Sequence, residues 1–305
     1  MLFRSTAGRL VHRREVTCQD LDFCIDRFGD YLSCWNYSEA PSESKLNLIL
    51  NPLMQRLGAK GAVIRNINKN SHKSGLFSDQ VILGEAPPPE FVVHEFGLKY
   101  HVSLTQRQHI GLFLDQRDNR KRVLIESKGK RVLNLFAYTC SFSVCAAAGG
   151  CEVVLSVDSA KSALDIGKIN FELNELTATG RGKFIVDDVR IFLDRQVRKI
   201  QKEGQKALFD IIVCDPPTFS KASNFAAFSV QKEWQDLVLK CAMLCKSDGV
   251  VYFSNNHQSE SFVAYEKGLK KYFGSVVRLS QPMDFPERQG QDFHVKQFMC
   301  KLPLP

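Results

Sequence analysis

The stretch "RVLNLFAYTCSFSVCAAAGGCEVVLSVD", residues 131–158, predicts the architecture of the longer part of the chain. Its first six residues form a short apolar run that is typical of a buried strand. Small residues then follow as far as Gly149 and Gly150, where a helix is expected to end. Residues 151–158 form a second apolar run that closes on Asp158. The stretch therefore predicts one strand–helix–strand unit.

The same alternation continues towards the C-terminus. Strands are expected at 182–188, 209–217 and 250–256, with helical patterns between them, and two more strands follow the last helix. Strands that alternate with helices at this spacing form a mostly parallel sheet that has helices on both faces. We therefore predict a doubly wound α/β fold, in which ligands bind beyond the carboxyl ends of the strands.

The residues before this alternation indicate a smaller α+β region. "SKLNLILNPLMQRLGA" carries apolar residues at helical spacing, and "GAVIRNI" after it is typical of a short strand. The stiff segment "EAPPPE" indicates a boundary, and "FVVHEFGLKYHVSL" then predicts two strands around a turn at Gly97-Leu98. The predicted division is an N-terminal α+β domain at 1–88, a linker of β-hairpin and helix at 89–128, and an α/β domain at 129–305.

The composition limits the class of protein. With 44% hydrophobic and 24% charged residues the chain is typical of a globular protein, and it has no apolar run near the roughly 20 residues that span a bilayer. The basic segment before Glu15 is weakly similar to a mitochondrial transit peptide, but we favour a basic part of the folded protein. The net charge of +8 is compatible with a nucleic-acid partner. We expect a cytoplasmic protein without a membrane partner, either a monomer or a homodimer.

The ten cysteines are interpreted as reduced residues of the core. They lie mostly among apolar neighbours, and the sequence has no Cys-x-x-Cys pair. The composition therefore favours a cytosolic protein, and no metal is expected.

Polar side chains follow four consecutive predicted strands, at the edge that those strands share. The first strand runs into "NLFAYTCSFS", and acids follow the next three strands, at Asp158, at Asp187 and Asp188, and at Asp215. An acid after the second strand can accept hydrogen bonds from ribose hydroxyls, and one after the third from the adenine amine. Because no Gly-x-Gly-x-x-Gly follows the first strand, a pyrophosphate is not expected there. This pattern favours S-adenosylmethionine over a nicotinamide cofactor.

The last 200 residues resemble a known family. The matching stretches are "GLFLDQRDNR" (111–120), "GKRVLNLFAYTCSFSV" (129–144), "VDSA" (157–160), "CDPPTFS" (214–220), "VYFSNN" (251–256) and "DFPERQGQDFHVK" (284–296). They resemble the bacterial large-subunit ribosomal RNA methyltransferases, most of all the guanine-N7 branch, to which the cytosine-C5 enzymes are related. The resemblance implies a class I, Rossmann-like methyltransferase whose sheet has seven mostly parallel strands.

The resemblance also implies a cofactor site over the first three loops. Asp158 would bind the ribose, Asp188 the adenine, and Asp215 would line the methyl end, while Gln116 and Arg117 would close over the cofactor from the preceding helix. One departure is Cys140, which stands where the family usually has glycine and is expected to crowd the methionine moiety or to shift its loop. The residues expected to bind the cofactor are Gln116, Arg117, Asn134, Phe136, Tyr138, Asp158, Asp188 and Asp215.

The turn from Asp215 to Phe219 is the predicted acceptor side of the site. Pro216 and Pro217 present carbonyls at fixed angles, and Phe219 offers a face on which a flipped base can stack. The alternatives are a Phe219 that anchors the loop in the core and an Asp215 that caps a turn. Cys214 ends the strand and is expected to point into the core. Asp215, Pro216, Pro217 and Phe219 are thus the candidate catalytic residues.

The sequence indicates less directly which atom of the base accepts the methyl group. Methylation of cytosine C5 needs a thiolate, and the loop after the fifth strand holds Asn255 and Asn256 where such enzymes have cysteine. We therefore favour guanine N7, with an exocyclic amine or cytosine C5 as alternatives. The expected partner is RNA, bound by Phe219, Asn255, Asn256 and Arg288, although the charged loop around Arg288 is also interpreted as structural.

Two other classes of protein stay open at this point. One is a nucleotide-dependent oxidoreductase, which the missing glycine-rich loop disfavours. The other is a non-catalytic RNA-binding relative, which the intact "DPPTF" disfavours. Residues 1–88 are expected either to guide the RNA or to be purely structural.

Overall fold

The structure is a computed structural model that describes residues 5–12, 22–38, 43–67, 80–106, 109–203, 208–220, 227–257, 260–285 and 295–303. The chain separates into two compact units, which are Met1–Arg117 with Pro282–Pro286 and Asp118–Gln281 with Glu287–Pro305. The boundaries predicted at residues 88 and 128 stay a prediction. In the described ranges, no helix has the length and apolarity that a membrane span requires.

The first unit contains a five-stranded sheet and a helix. These elements are β1 (Ala7–Val11), β2 (Phe23–Phe28), β3 (Tyr31–Asn36), α1 (Glu43–Leu57), β4 (Gly61–Asn66) and β5 (Gln80–Gly84). The strands lie in chain order, and only β3 and β4 are parallel, since α1 forms the crossover between them. Leu46, Leu50 and Met54 of α1 join the buried core of this sheet. The predicted helix and the strand after it are confirmed.

A hairpin follows in the same unit. It is made of β6 (Phe91–Glu95) and β7 (Leu98–Val102), which pair antiparallel. The turn residues Phe96 and Gly97 have φ of 53° and 82°, as in the type I′ turns that join two-residue hairpins. The predicted pair of strands is confirmed, with the turn one residue earlier than expected.

The second unit contains the predicted α/β sheet. Its strands are β8 (Arg131–Leu135), β9 (Val153–Asp158), β10 (Gly182–Val186), β11 (Phe209–Cys214), a short pair β12 (Phe219–Ser220) and β13 (Phe228–Ser229), then β14 (Cys245–Asn255), β15 (Ser275–Arg278) and β16 (Lys296–Lys301). The helices are α2 (Arg117–Glu126), which begins at the last residue of the first unit, α3 (Ser141–Ala148), α4 (Lys161–Leu173), α5 (Val189–Glu203), α6 (Val230–Leu244) and α7 (Phe262–Leu269).

The order of the large sheet is β10-β9-β8-β11-β14-β16-β15. The first five strands in this order are parallel, and β16 is antiparallel to both of its neighbours. The prediction of a seven-stranded, mostly parallel sheet is therefore confirmed. The chain reverses its direction of travel between β8 and β11, so the loops after Leu135 and Cys214 leave neighbouring strand ends and diverge. This reversal is the position at which doubly wound folds bind their ligands.

Cys214 lies in the core of the second unit. All six residues of β11 are buried. A hydrogen bond with Cys241 and burial together raise the pKa of the Cys214 thiol well above its usual range. The prediction that Cys214 packs in the core is confirmed. The nine cysteines that the structure describes are all buried, and none of these nine forms a disulfide, as predicted.

Candidate active site

The loop after β8 has an unusual backbone. Phe136, Tyr138 and Cys140 have φ of 54°, 47° and 61°, a left-handed backbone conformation that residues other than glycine seldom adopt. Backbone hydrogen bonds hold the loop in this conformation. The Tyr138 N–H donates to Asp158 Oδ2 at 2.8 Å, and the Cys140 N–H donates to the Ala137 carbonyl at 2.8 Å. The shape of the loop is therefore fixed by the structure around it.

Two residues predicted to bind the cofactor lie where β8 passes into this loop. Asn134 is buried, and its Nδ2 donates to Ser143 Oγ at 2.8 Å, which in turn accepts a hydrogen bond from Ser156 Oγ at 2.8 Å. This buried network joins β8, α3 and β9 beneath the loop. Phe136 is half-buried, and its ring lies 5.3 Å from that of Phe228 in β13.

The Cys140 side chain packs into the protein interior, against α4. A Cβ atom added to Gly167 of α4 would lie 2.5 Å from the Cys140 Sγ, so the absence of a side chain at Gly167 leaves room for the sulfur. Burial raises the pKa of this thiol to about 12. The backbone of Cys140 has a left-handed conformation that glycine adopts readily, and the missing side chain at Gly167 leaves room for the sulfur. That Cys140 crowds the methionine moiety or shifts its loop stays a prediction.

Asp158 joins the loop after β8 to the start of α4. Its Oδ2 accepts from the Tyr138 N–H and its Oδ1 from the Ala160 N–H, both at 2.8 Å. Burial raises the pKa of this carboxyl, although these backbone hydrogen bonds oppose the shift. A carboxylate has about four acceptor positions, so ribose hydroxyls can still donate to it. Ala160 is the N-cap residue of α4, and Asp158 accepts its N–H.

Asp188, which was predicted to bind adenine, forms an ion pair with Arg190. It is buried at the start of α5, and Arg190 donates to it through Nη2 at 2.6 Å and through its own backbone N–H at 2.8 Å. Burial disfavours the charged carboxylate, but the hydrogen bonds from Arg190 outweigh it, so the pKa of Asp188 is lowered. Arg190 also contacts Glu233 of α6 at 3.0 Å. Asp187 is paired in the same way with Arg195.

The Asp215–Phe219 turn lies at the end of β11. The Ser254 Oγ donates to Asp215 Oδ1 at 2.5 Å, which fixes the carboxylate against β14. Pro216 is buried, whereas the ring of Phe219 is 62% exposed. The alternative in which Phe219 anchors the turn in the core is therefore wrong, and an aromatic face is available beside Asp215.

The two asparagines at the end of β14 have different environments. Asn255 is fully buried and accepts from the His257 N–H at 2.6 Å, and its Nδ2 has no hydrogen-bond partner within the described ranges. Asn256 is exposed, and its Oδ1 accepts from Thr218 Oγ1 at 2.5 Å. Thr218 was not predicted as a site residue, although it directly precedes Phe219 in the sequence.

Three other predicted residues lie outside the described part of the second unit. Gln116 and Arg117 belong to the first unit, where Gln116 is buried and Arg117 pairs with Asp284 at 2.7 Å and with Glu95 at 3.6 Å. Their contact with a cofactor stays a prediction. Arg288 lies outside the described residues, as do the neighbouring polar residues Glu287, Gln291, Asp292 and His294.

The described part of the second unit therefore fits a nucleoside without phosphates. Asp158 offers carboxylate oxygens at the end of β9, and the loop after β8 uses several of its N–H groups within the protein. Hydroxyls, which are donors, suit such an edge better than phosphate oxygens do. At the ends of β11 and β14, the turn that carries Asp215 and the exposed Phe219 is joined to Asn256 by the hydrogen bond from Thr218.

Comparison with known proteins agrees with these features. A family model described as S-adenosylmethionine-dependent methyltransferase matches residues 72–290. The ribosomal RNA large subunit methyltransferase K/L of Psychrobacter arcticus is 34% identical over 289 residues, which are 91% of this chain and 35% of that protein. Methyltransferase I of Erwinia tasmaniensis is 38% identical over 66% of this chain and 49% of its own length. The chain thus spans about a third to a half of these relatives.

A solved structure gives the same result. The crystal structure of "SMU.776, a putative methyltransferase complexed with SAH", superposes with a TM-score of 0.82 at 28% identity, over 98% of this chain and 76% of that one. The family description names S-adenosylmethionine, which confirms the predicted cofactor. As the resemblance predicted, the chain belongs to the family of S-adenosylmethionine-dependent methyltransferases.

Proposed function

We propose that this protein methylates guanine at N7 in large-subunit ribosomal RNA. The relatives named above support the RNA class, since each is a ribosomal RNA large subunit methyltransferase. The single observation that carries the choice of acceptor is the group at the ends of β11 and β14. There the ring of Phe219 and the amide of Asn256 are both exposed, and Thr218, which precedes Phe219, donates a hydrogen bond to Asn256.

The residues of the second unit would have separate roles in binding the cofactor and the base. S-adenosylmethionine, when bound, supplies a methyl group attached to a positively charged sulfur. Asp158 would hold the ribose, and the fixed loop after β8 would orient the rest of the cofactor. Phe219 would stack on the target base, and Asp215, fixed by Ser254, would place a negative charge where the methylated base becomes a cation.

The thiols that the structure describes argue against cytosine C5 as the acceptor. That reaction needs a reactive thiolate at the base, and thiolates form where the pKa is low and the sulfur is accessible. All nine described cysteines are buried. Burial raises the pKa of Cys140 and of Cys245 to about 12, and that of Cys214 is also raised. A nitrogen acceptor needs no covalent step by the protein.

An exocyclic amine is the remaining alternative. Guanine N7 carries a free lone pair, so its methylation releases no proton, whereas methylation of an amine requires that a proton leave. The choice of N7 therefore asks less of the site, for which we assign no general base.

We also propose that residues 1–88 help to guide the RNA. Lys45 and Arg56 of α1 are exposed and can contact phosphates without reading the sequence. Such contacts make binding weaker as the salt concentration rises. Replacing both by alanine should reduce the salt dependence of RNA binding and leave S-adenosylmethionine binding by the second unit unchanged.

The test of the main proposal is a methylation assay with nucleoside mass spectrometry. Unmodified large-subunit RNA, both free and in ribosomal particles, is incubated with the protein and S-adenosylmethionine that carries an isotopic label in its methyl group. Labelled 7-methylguanosine is expected, and the Asp215→Ala protein serves as the inactive control. Label in 5-methylcytidine or in an N2-methylated guanosine would overturn the choice of N7, and label only in protein would overturn the RNA substrate.

A further inference from the structure

The hydrogen bond between Thr218 and Asn256 joins two loops that are 38 residues apart in the chain. Thr218 belongs to the turn that follows β11, and Asn256 comes directly after β14. Both side chains are exposed, so this contact lies at the surface of the second unit. Phe219, whose ring is also exposed, follows Thr218 in the same turn.

The backbone of Thr218 is held from the other side. Its carbonyl accepts from the Val230 N–H at 3.2 Å, and Phe219 pairs with Ser229 in the short β12–β13 sheet. The hydroxyl of Thr218 is thus carried by a backbone that two neighbouring contacts fix. Its donation to Asn256 is then set by the fold of the turn.

In this contact one end of the Asn256 amide stays available. An asparagine side chain offers a carbonyl that accepts and an amino group that donates, and the two ends can exchange by rotation. Because the Oδ1 accepts from Thr218 at 2.5 Å, the Nδ2 is the end that can meet a substrate. Asn256 therefore presents a donor at the surface, in a loop that is hydrogen-bonded to the turn that carries Phe219.

Purine bases differ at the edge that carries N7. Guanine has two acceptors there, N7 and O6, whereas adenine has N7 and an amino group that donates. If N7 is the atom that is methylated, the neighbouring group at position 6 is free to be recognised. A donor recognises guanine O6, and it disfavours the adenine amino group because two donors would face each other.

We infer that Asn256 Nδ2 donates a hydrogen bond to O6 of the target guanine, and that Thr218 is the positioning residue that keeps this amide in the required orientation. This inference rests on the proposed methylation of guanine N7. It separates the two predicted asparagines, since Asn255 is buried and shapes the turn through its contact with the His257 N–H.

The test replaces single groups on the base and on the protein. An RNA fragment is made in three forms, in which the methylated position holds guanosine, inosine or 2-aminopurine riboside. Inosine keeps N7 and O6 but lacks the 2-amino group, and 2-aminopurine keeps N7 and the 2-amino group but lacks O6. The kcat/KM of each form is measured with the wild-type protein and with Asn256→Asp, Thr218→Val and Thr218→Ser.

The wild-type protein should methylate guanosine and inosine at similar rates, and 2-aminopurine about 5- to 150-fold more slowly. Asn256→Asp removes the donor with little change of shape, so its preference for guanosine over 2-aminopurine should disappear. Thr218→Val should weaken this preference, because the amide can then rotate, and Thr218→Ser should restore it. A merely structural role of Thr218 would change the rates of both forms equally.

The outcomes separate this inference from the function on which it rests. If guanosine is methylated and inosine is not, the acceptor is the 2-amino group, and the N7 proposal fails. If both are methylated and the wild-type protein uses 2-aminopurine equally well, N7 stands and the contact with O6 is refuted. A full preference for guanosine in Asn256→Asp also refutes it, and a preference unchanged in Thr218→Val refutes the role of Thr218.

Discussion

Replacing Gly167 by alanine should reveal the contact that accommodates Cys140. The new Cβ would lie 2.5 Å from the Cys140 Sγ and 2.9 Å from its Cβ, well inside normal contact distances. Overpacking of this kind costs about 1–3 kcal/mol. Alanine is about 1 kcal/mol better than glycine inside a helix, and Gly167 lies within α4. We therefore expect Gly167→Ala to lower the free energy of unfolding by about 0–2 kcal/mol.

The same substitution should have the opposite effect when Cys140 is glycine. Without the sulfur, the nearest remaining atom is the Thr139 carbonyl oxygen at 3.5 Å, which is an ordinary contact. Only the helix preference then remains, so Gly167→Ala should stabilise the Cys140→Gly protein by about 1 kcal/mol. The coupling energy of the double-mutant cycle should thus be about 1–3 kcal/mol.

Urea unfolding followed by tryptophan fluorescence measures this cycle. The chain has two tryptophans, and Trp234 is buried in the second unit. A Trp35→Phe background removes the signal of the first unit, so the transition reports on the unit that contains Gly167. Equal effects of Gly167→Ala in both backgrounds would refute the reasoning. Gly268→Ala is the matched control, because its Cβ would lie 2.2 Å from Trp234 Cη2 and its cost should not depend on residue 140.

Three further predictions concern the site. Asp215→Ala should reduce kcat at least about 100-fold, as when a group that stabilises the transition state is lost, and Cys214→Ala should change kcat little; unchanged single-turnover rates in Asp215→Ala would contradict its placement. Phe219→Ala should raise the KM for RNA about 5- to 150-fold through lost stacking, and Phe219→Trp should not. Because the pKa of Asp158 is raised, its carboxylate is protonated at a higher pH than a usual aspartate, so S-adenosylmethionine affinity should already fall above the usual aspartate range. The raised pKa affects folding in the other direction. The protonated carboxyl of Asp158 adds to the free energy of unfolding at low pH, and this contribution is lost as the pH rises through its pKa. Calorimetry across pH should show no such fall in Asp158→Asn.

The alternation of strands and helices from β8 to β14 was predictable because each run is bounded by clear signals. β11 is buried along its whole length, so its residues other than Asp210 are apolar, and Pro216 and Pro217 follow its end. Gly149 and Gly150 end α3 in the same way. Local sequence and global fold agree in this unit, which is why the mostly parallel sheet could be anticipated.

The first unit was harder to predict because a polar residue interrupts the pattern of β2. Asp26 is buried within that strand, where its carboxylate pairs with Arg9 of β1 at 2.7 Å. A buried acid is tolerated only with such a partner, and the partner comes from another strand. The sequence alone does not show that Arg9 and Asp26 meet, so the alternation typical of a strand is lost.

The same limit applies to the site. The acids after β9, β10 and β11 were visible as a series, but their partners were not. That Arg190 binds Asp188 and that Thr218 binds Asn256 depends on which side chains the fold brings together. The packing of Cys140 against Gly167 is of this kind too, since the two residues lie on different elements.

The loop after β8, whose left-handed backbone carries Cys140, also bears on the class of cofactor. In glycine-rich junctions the N–H groups turn towards a phosphate at the start of the helix. Here the N–H of Ala137 donates to the Val157 carbonyl, that of Tyr138 to Asp158, and that of Cys140 to the Ala137 carbonyl. These donors are used within the protein, so recognition at this edge depends on the acceptors of Asp158. A ligand that presents hydroxyls suits such acceptors, and a pyrophosphate does not, because two sets of negatively charged oxygens would then face each other.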